Sequence, residues 1–148
     1  MITETSIEVE APAEVVWQVY AAVEGWPSWT ESVTEVEALD AAELSVGRRY
    51  AIRQPKFPRL VWEVSALDPG RSWEWRQSSP GGTTVAHHLV EPIGAGRTRV
   101  TQGVDQRGPI GVVVGVLARS LTRRYLDMES KGLKAASEAA HRGHAQAS

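Results

Sequence analysis

Two adjacent histidines, His87 and His88, are the residues of this chain best suited to acid–base chemistry. An imidazole changes charge near neutral pH, so it can carry a proton or hydrogen-bond a carbonyl or hydroxyl group. Strand neighbours face opposite ways, so at most one of the two enters an interior and the pair cannot hold one metal ion from a single face. Alternation does not choose between them. His88 is in phase with Ala86 and Val90, and His87 with Val85 and Leu89. The chain has no cysteine, which removes thiolate nucleophiles, disulfides and thiolate metal sites. It contains no nucleophile elbow, phosphate loop, HExxH or metal-spaced cluster, so no metal and no cofactor is expected. No Asp or Glu falls on the expected inner face of the strands, so paired carboxylates for acid–base work are not expected either.

The elements that must position these groups are legible from periodicity. Residues 2–10 alternate as a half-buried strand. Ala11, Pro12, Ala13 and Glu14 open a helix with Pro near its first turn, and Gly25, Trp26 and Pro27 break it before a short second helical turn holding Trp29. From residue 33 to 107 the chain reads as six extended segments split by turns, the strongest at Asp68-Pro69-Gly70. Gly108-Pro109 ends the sheet. Ile110, Val114, Leu117, Leu121, Tyr125, Met128 and Gly132 then recur at helical spacing, with Ala135 and Ala139 continuing the row, as one amphipathic helix of about 28 residues. The reading is a single domain over residues 1–140 with a frayed tail at 141–148.

Parity assigns faces. Leu60, Trp62, Val64 and Ala66 share one; so do Trp73, Trp75 and Gln77; Tyr50, Ile52 and Gln54 lie opposite arginines; Val100, Gln102, Val104 and Gln106 lie opposite Arg97, Arg99 and Arg107. Six of the aromatic residues are Trp, against three Tyr and one Phe. Trp62, Trp73 and Trp75 either line a pocket or pack a core, and residue type leaves both open, whereas Trp17 and Trp26 are assigned to packing. Gly111 and Gly115 either leave room above the sheet or let the helix approach it closely.

The order of elements, with the strings Ala11-Pro12-Ala13-Glu14-Val15-Val16-Trp17, Trp26-Pro27-Ser28-Trp29, Trp62-Glu63-Val64, Asp68-Pro69-Gly70, Trp73-Glu74-Trp75 and His88-Leu89-Val90-Glu91-Pro92, resembles the START-related helix-grip superfamily, or SRPBCC, whose bacterial members include polyketide cyclase/dehydrase and lipid-transport proteins. The likeness covers residues 2–138. It implies an α+β helix-grip fold: a seven-stranded curved antiparallel sheet wrapped around a long C-terminal helix, with two short helices between strands 1 and 2. It also implies a cavity between sheet and helix that takes an apolar or amphipathic molecule. The likeness favours His88, four residues before Pro92, as the inward histidine and a candidate catalytic group. The ligand-binding set is then Trp29, Tyr50, Ile52, Gln54, Leu60, Trp62, Val64, Trp73, Trp75, His88, Gln102, Val114, Leu117, Leu121 and Tyr125. Trp29 belongs to it as a residue at the pocket entrance.

Charge and composition bound the function. The chain has 148 residues with 42% hydrophobic and 23% charged side chains, which fits one folded domain. Net charge is -2, so no nucleic-acid partner is expected. Residues 1–47 hold ten acidic groups and no Lys or Arg, while 75–148 hold ten basic and five acidic groups. In the resembled sheet the first and last strands are neighbours, so Glu8 and Glu10 would meet Arg97, Arg99 or Arg107. No secretory signal or transmembrane segment is read, and a cytoplasmic location is expected. The leading reading is a small-molecule binding or carrier protein. Its alternatives are a polyketide cyclase/dehydrase-like enzyme using His88, with Gln54, Gln102, Tyr125 and water, and an interaction module using the acidic N-terminal surface. The sequence does not say whether the chain is a monomer or a homodimer.

Overall fold

The computed structural model describes residues 1–147, with side chains through residue 145. Its elements are β1 (Ile2–Val9), α1 (Ala13–Ala21), a 3-10 turn (Val23–Ser28), β2 (Glu35–Ala38), β3 (Arg49–Arg53), β4 (Leu60–Asp68), β5 (Ser72–Ser79), β6 (Gly82–Gly94), β7 (Arg97–Arg107), α2 (Pro109–Leu117) and α3 (Arg119–Ala147). The strands form one antiparallel sheet in the order β1-β7-β6-β5-β4-β3-β2. From β2 to β7 each strand pairs with the next, through longer loops up to β4 and tight turns after it, and only β1 is carried across to the last strand. This is the helix-grip arrangement: α1, the 3-10 turn and α3 lie against one face of the sheet.

The β1–β7 pairing accounts for the uneven charge. Arg97 reaches Glu8 at 2.7 Å and Glu10 at 3.1 Å, Arg99 reaches Glu8 at 3.4 Å, and His87 Nε2 lies 2.8 Å from Glu4. Arg107 turns to Asp105 instead, at 2.7 Å. Glu35, Glu37 and Asp40 pair with Arg53, Arg59 and Arg49. The acidic first third is thus largely answered within its own sheet.

Four sequence expectations change. Helical periodicity continues past residue 117, but the helix is interrupted at Ala118, so α2 and α3 are separate. The buried face of α3 is Tyr125, Leu126, Glu129, Ser130, Leu133 and Ser137, while Ala135 and Ala139 are exposed. Hydrophobicity misplaced that stripe because half of its buried members are polar. In β4 the register shifts between Val64 and Ala66, and the bulge turns Ala66 out and brings Leu67 opposite Trp73. Finally, residues 141–147 continue α3, where a frayed end was expected. Their Ala, Arg and Gln content supports helix. Ser148 lies outside the described residues.

The packed core gathers where α1, the 3-10 turn and the C-terminal half of α3 cross the sheet. Val9, Val16, Tyr20, Trp73, Val100 and Leu133 are essentially sealed from solvent there. The contact is close. A methyl group on Gly132 of α3 would overlap the carbonyl oxygen of Trp29.

Candidate functional site

Beyond this core the first half of α3 stands off the sheet and leaves a cavity of about 290 Å³. Strand parity builds most of its wall. Ile52 and Gln54 come from β3 and the residue after it, Leu60 and Trp62 from β4, Trp75 and Gln77 from β5, Ala86 and His88 from β6, and Gln102, Val104 and Gln106 from β7. Thr122, Tyr125, Leu126 and Glu129 of α3 form the roof. Val114 of α2 and Pro58 line the cavity and are exposed, which marks its opening to solvent. The loop at that opening is tied down by Tyr125, whose hydroxyl donates to the Pro55 carbonyl and whose ring meets Phe57 edge-on at 5.9 Å.

Of the residues expected to bind a ligand, the cavity brings together Ile52, Gln54, Leu60, Trp62, Trp75, His88, Gln102, Val114 and Tyr125. Trp29, Tyr50, Val64, Trp73, Leu117 and Leu121 are not in its lining. Tyr50, Val64 and Trp73 do face inward, but packed neighbours cover them; the Tyr50 hydroxyl donates to Ala42 O at 3.1 Å. Trp29 lies beside Trp26, ring centres 5.5 Å apart. Leu117 is 81% exposed because the interruption at Ala118 turns the end of α2 outward. Trp26, assigned above to packing, does both jobs: it lines the cavity while its indole N–H donates to Tyr20 O at 2.8 Å.

His88 is the inward histidine, and His87 points to Glu4 on the outer face. The His88 ring stacks on Trp73, with centres 4.0 Å apart and planes 10° apart. Its Nδ1 donates to the Trp73 carbonyl at 3.1 Å, which fixes the tautomer and leaves Nε2 as an acceptor. Burial lowers its pKa to about 3, so the ring is neutral at physiological pH.

The sequence reading missed Glu129. It looked for carboxylates on the strands, and Glu129 comes from α3. Spacing held the signal, since Glu129 follows the inward Tyr125 by four residues. Ser32 Oγ donates to one carboxyl oxygen at 3.3 Å, and Gln102 Nε2 approaches the other at 3.4 Å. Gln102 Nε2 also reaches Leu126 O at 3.0 Å and Ser130 Oγ at 3.3 Å, while its Oε1 accepts from the Tyr20 hydroxyl. Burial, only partly offset by the Ser32 and Gln102 hydrogen bonds, raises the Glu129 pKa to about 7. The Tyr20 pKa is also raised, by burial and then by the nearby Glu129, so Tyr20 stays a neutral donor. Gln106 adds a buried Oε1 with no hydrogen-bond partner among the described residues. The wall is therefore apolar and aromatic, with a polar corner at Gln102 and Glu129, backed by Tyr20 behind Gln102, and a second acceptor at Gln106.

A family model for polyketide cyclase / dehydrase and lipid transport matches residues 2–138. The chain belongs to that family. Within reach of the polyketide cyclase/dehydrase and lipid transport family, a Streptomyces halstedii protein named "Putative polyketide cyclase" is 30% identical over 115 residues, spanning 76% of this chain and 94% of that protein. Among solved structures, a hypothetical protein from Helicobacter pylori superposes with a TM-score of 0.79 at 16% identity, covering 93% of this chain and 88% of its own. A START superfamily protein from Mycobacterium smegmatis gives 0.71 at 16% identity, covering 93% and 97%. Likeness at that identity bears on the fold alone.

Proposed function

We propose that the cavity binds an apolar or amphipathic small molecule, with its apolar body against Trp62, Trp75, Leu60 and Ile52 and a polar group at Gln102 and Glu129. The observation that carries this reading is the cavity of about 290 Å³, whose mostly apolar wall converges on one buried polar corner. A Glu129 carboxyl that is part protonated near neutrality can donate to a ligand carbonyl or accept from a hydroxyl. The unpartnered Gln106 Oε1 suits a ligand donor. Titration with the apolar fluorophore ANS and with hydroxylated polycyclic aromatics checks the reading, using Trp emission and native mass spectrometry. One-to-one binding that weakens in Leu60→Trp, which fills the cavity, is the expected outcome; equal binding by that variant would move the ligand elsewhere.

A second reading, a cyclase/dehydrase-like enzyme, is favoured by the same carboxyl. A group with pKa near 7 can give a proton to a ketone oxygen and take one back during an aldol-type closure and loss of water. In this reading neutral His88 orients the substrate through Nε2, and Glu129 moves the proton. Turnover of a poly-β-carbonyl substrate should then follow a pH profile that disappears in Glu129→Gln, while binding persists. Turnover lost in His88→Ala but kept in Glu129→Gln would return the acid–base role to His88.

A further inference from the structure

Helix α2 is built inside out. Its small residues, Gly111 and Gly115, are the buried ones, and its large ones face solvent. Val113 is 57% exposed, Val116 60% and Leu117 81%. The helix comes closest to the sheet at Gly115 and against Gly82. A Cβ on Gly115 would lie 2.7 Å from Gln106 Oε1, and one on Gly82 would lie 2.8 Å from the Gly111 backbone nitrogen. The helix is thus seated flat on the ends of β6 and β7, with its apolar side chains outward at the cavity opening, where Val114 belongs to both surfaces. An apolar ridge of this kind on a folded surface marks a place of contact.

The charges around the ridge identify the contact. Residues 106–126 contain Arg107, Arg119, Arg123 and Arg124 and no Asp or Glu. Arg119, Arg123 and Arg124 are exposed and make no ion pair among the described residues; the ion pairs of α3 lie further on, at Lys131–Asp127 and Lys134–Glu138. Six of the other ten arginines pair with carboxylates; what sets these three apart is that they follow the ridge directly, in a stretch without a carboxylate. A symmetric contact with a second copy through this ridge would bring the arginines of both copies together. A surface with an apolar layer beneath a sheet of negative charge satisfies both features.

We propose that α2 and the start of α3 dock on the surface of an anionic phospholipid bilayer, with Val113, Val116 and Leu117 entering the headgroup–acyl boundary and Arg119, Arg123 and Arg124 meeting the lipid phosphates. The ridge lies on the surface and does not span: among the described residues no helix is long and apolar enough to cross a membrane. The proposal stands apart from the identity of the cavity ligand, but it places the cavity opening against the bilayer.

Co-sedimentation with vesicles of phosphatidylcholine, alone or mixed with phosphatidylglycerol, tests it. The full chain should sediment with the mixed vesicles, less so as salt rises, and little with phosphatidylcholine alone. The double substitution Val116→Asp and Leu117→Asp, at exposed positions that leave the core untouched, should lower partitioning by about tenfold or more. Arg123→Ala should lower it about fivefold. The chain lacks cysteine, so Leu117→Cys carrying a polarity-sensitive dye gives a second readout: its emission should shift to the blue on mixed vesicles only. Absence of binding to the mixed vesicles at low salt overturns the proposal, as does unchanged binding by the double variant. A dimer that the double variant dissociates, with no vesicle binding by either form, would give the ridge to a second copy.

Discussion

Trp73 is 1% exposed and lies among the rings of Trp17, Tyr20, Trp26 and His88. On the same face of the same strand, Trp75 and then Gln77 border a cavity. The difference is made by what comes down onto the sheet. At Trp73 it is α1 and the 3-10 turn, and α3 closes against that turn through Gly132. At Gln77 the roof is the start of α3, held off by Tyr125, Glu129 and the tethered loop at 55–58. One strand thus serves a close-packed end and a hollow end, and aromatic residues stabilise the first while shaping the second.

The sharpest way to break the comparison is to truncate one residue at each end. Trp73→Ala should cost about 3–5 kcal/mol, because neighbours on every side cannot collapse into the gap. Leu60→Ala should cost only about 1–2 kcal/mol, since half of its surroundings are already open. Chemical denaturation of both variants checks this, and equal losses would mean that the hollow end is packed in solution.

A smaller effect comes from the two buried titratable groups. His88 has a folded pKa of about 3, below its ordinary 6.5, so its contribution is complete above pH 6.5 and is lost as pH falls toward 3. Glu129 has a folded pKa of about 7, above its ordinary 4.5, so its contribution is complete below pH 4.5 and is lost as pH rises toward 7. Between pH 4.5 and 6.5 the two slopes oppose each other, and stability should be nearly flat. Glu129→Gln removes one slope. The variant should be more stable than the parent at pH 8, by up to about 3 kcal/mol, and should lose stability steadily below pH 6.5. Melting curves across that range test the pairing, and a parent that weakens steadily from pH 6.5 to 4.5 would leave Glu129 outside the linkage.

The least effect belongs to the outer face. Arg97→Ala breaks contacts to Glu8 and Glu10, but all three groups are about half exposed, so the loss should stay under about 1 kcal/mol and shrink with salt. A larger loss would show that the β1–β7 seam, rather than the aromatic end, limits stability.

How much of this was legible depends on the type of residue. On the strands a period of two leaves little freedom, so the inward positions Ile52, Trp62, Trp75, Gln102 and Gln106 followed from alternation, and β4 departed from it only where the bulge near Ser65 reversed the phase. Choosing His88 over His87 needed the family likeness, because both histidines had apolar neighbours in phase. On the helices the criterion was hydrophobicity, and it failed twice in opposite directions. It put Leu117 inside, although glycines seat α2, and it left Glu129 out, although the inner face of α3 is polar.

The sequence by itself determined which strand residues share a face, the turns and the two helical regions, because these depend on local periodicity; that the acidic first strand lies beside the basic last one followed from the family likeness and not from periodicity. Only the tertiary structure decided which Trp pack and which line the cavity, that a carboxyl group is buried in its roof, and that the valines of α2 face outward. Those outcomes depend on how far each helix stands from the sheet, a distance set by contacts between residues remote in sequence, such as Gly132 with Trp29, Gly111 with Gly82 and Tyr125 with Pro55.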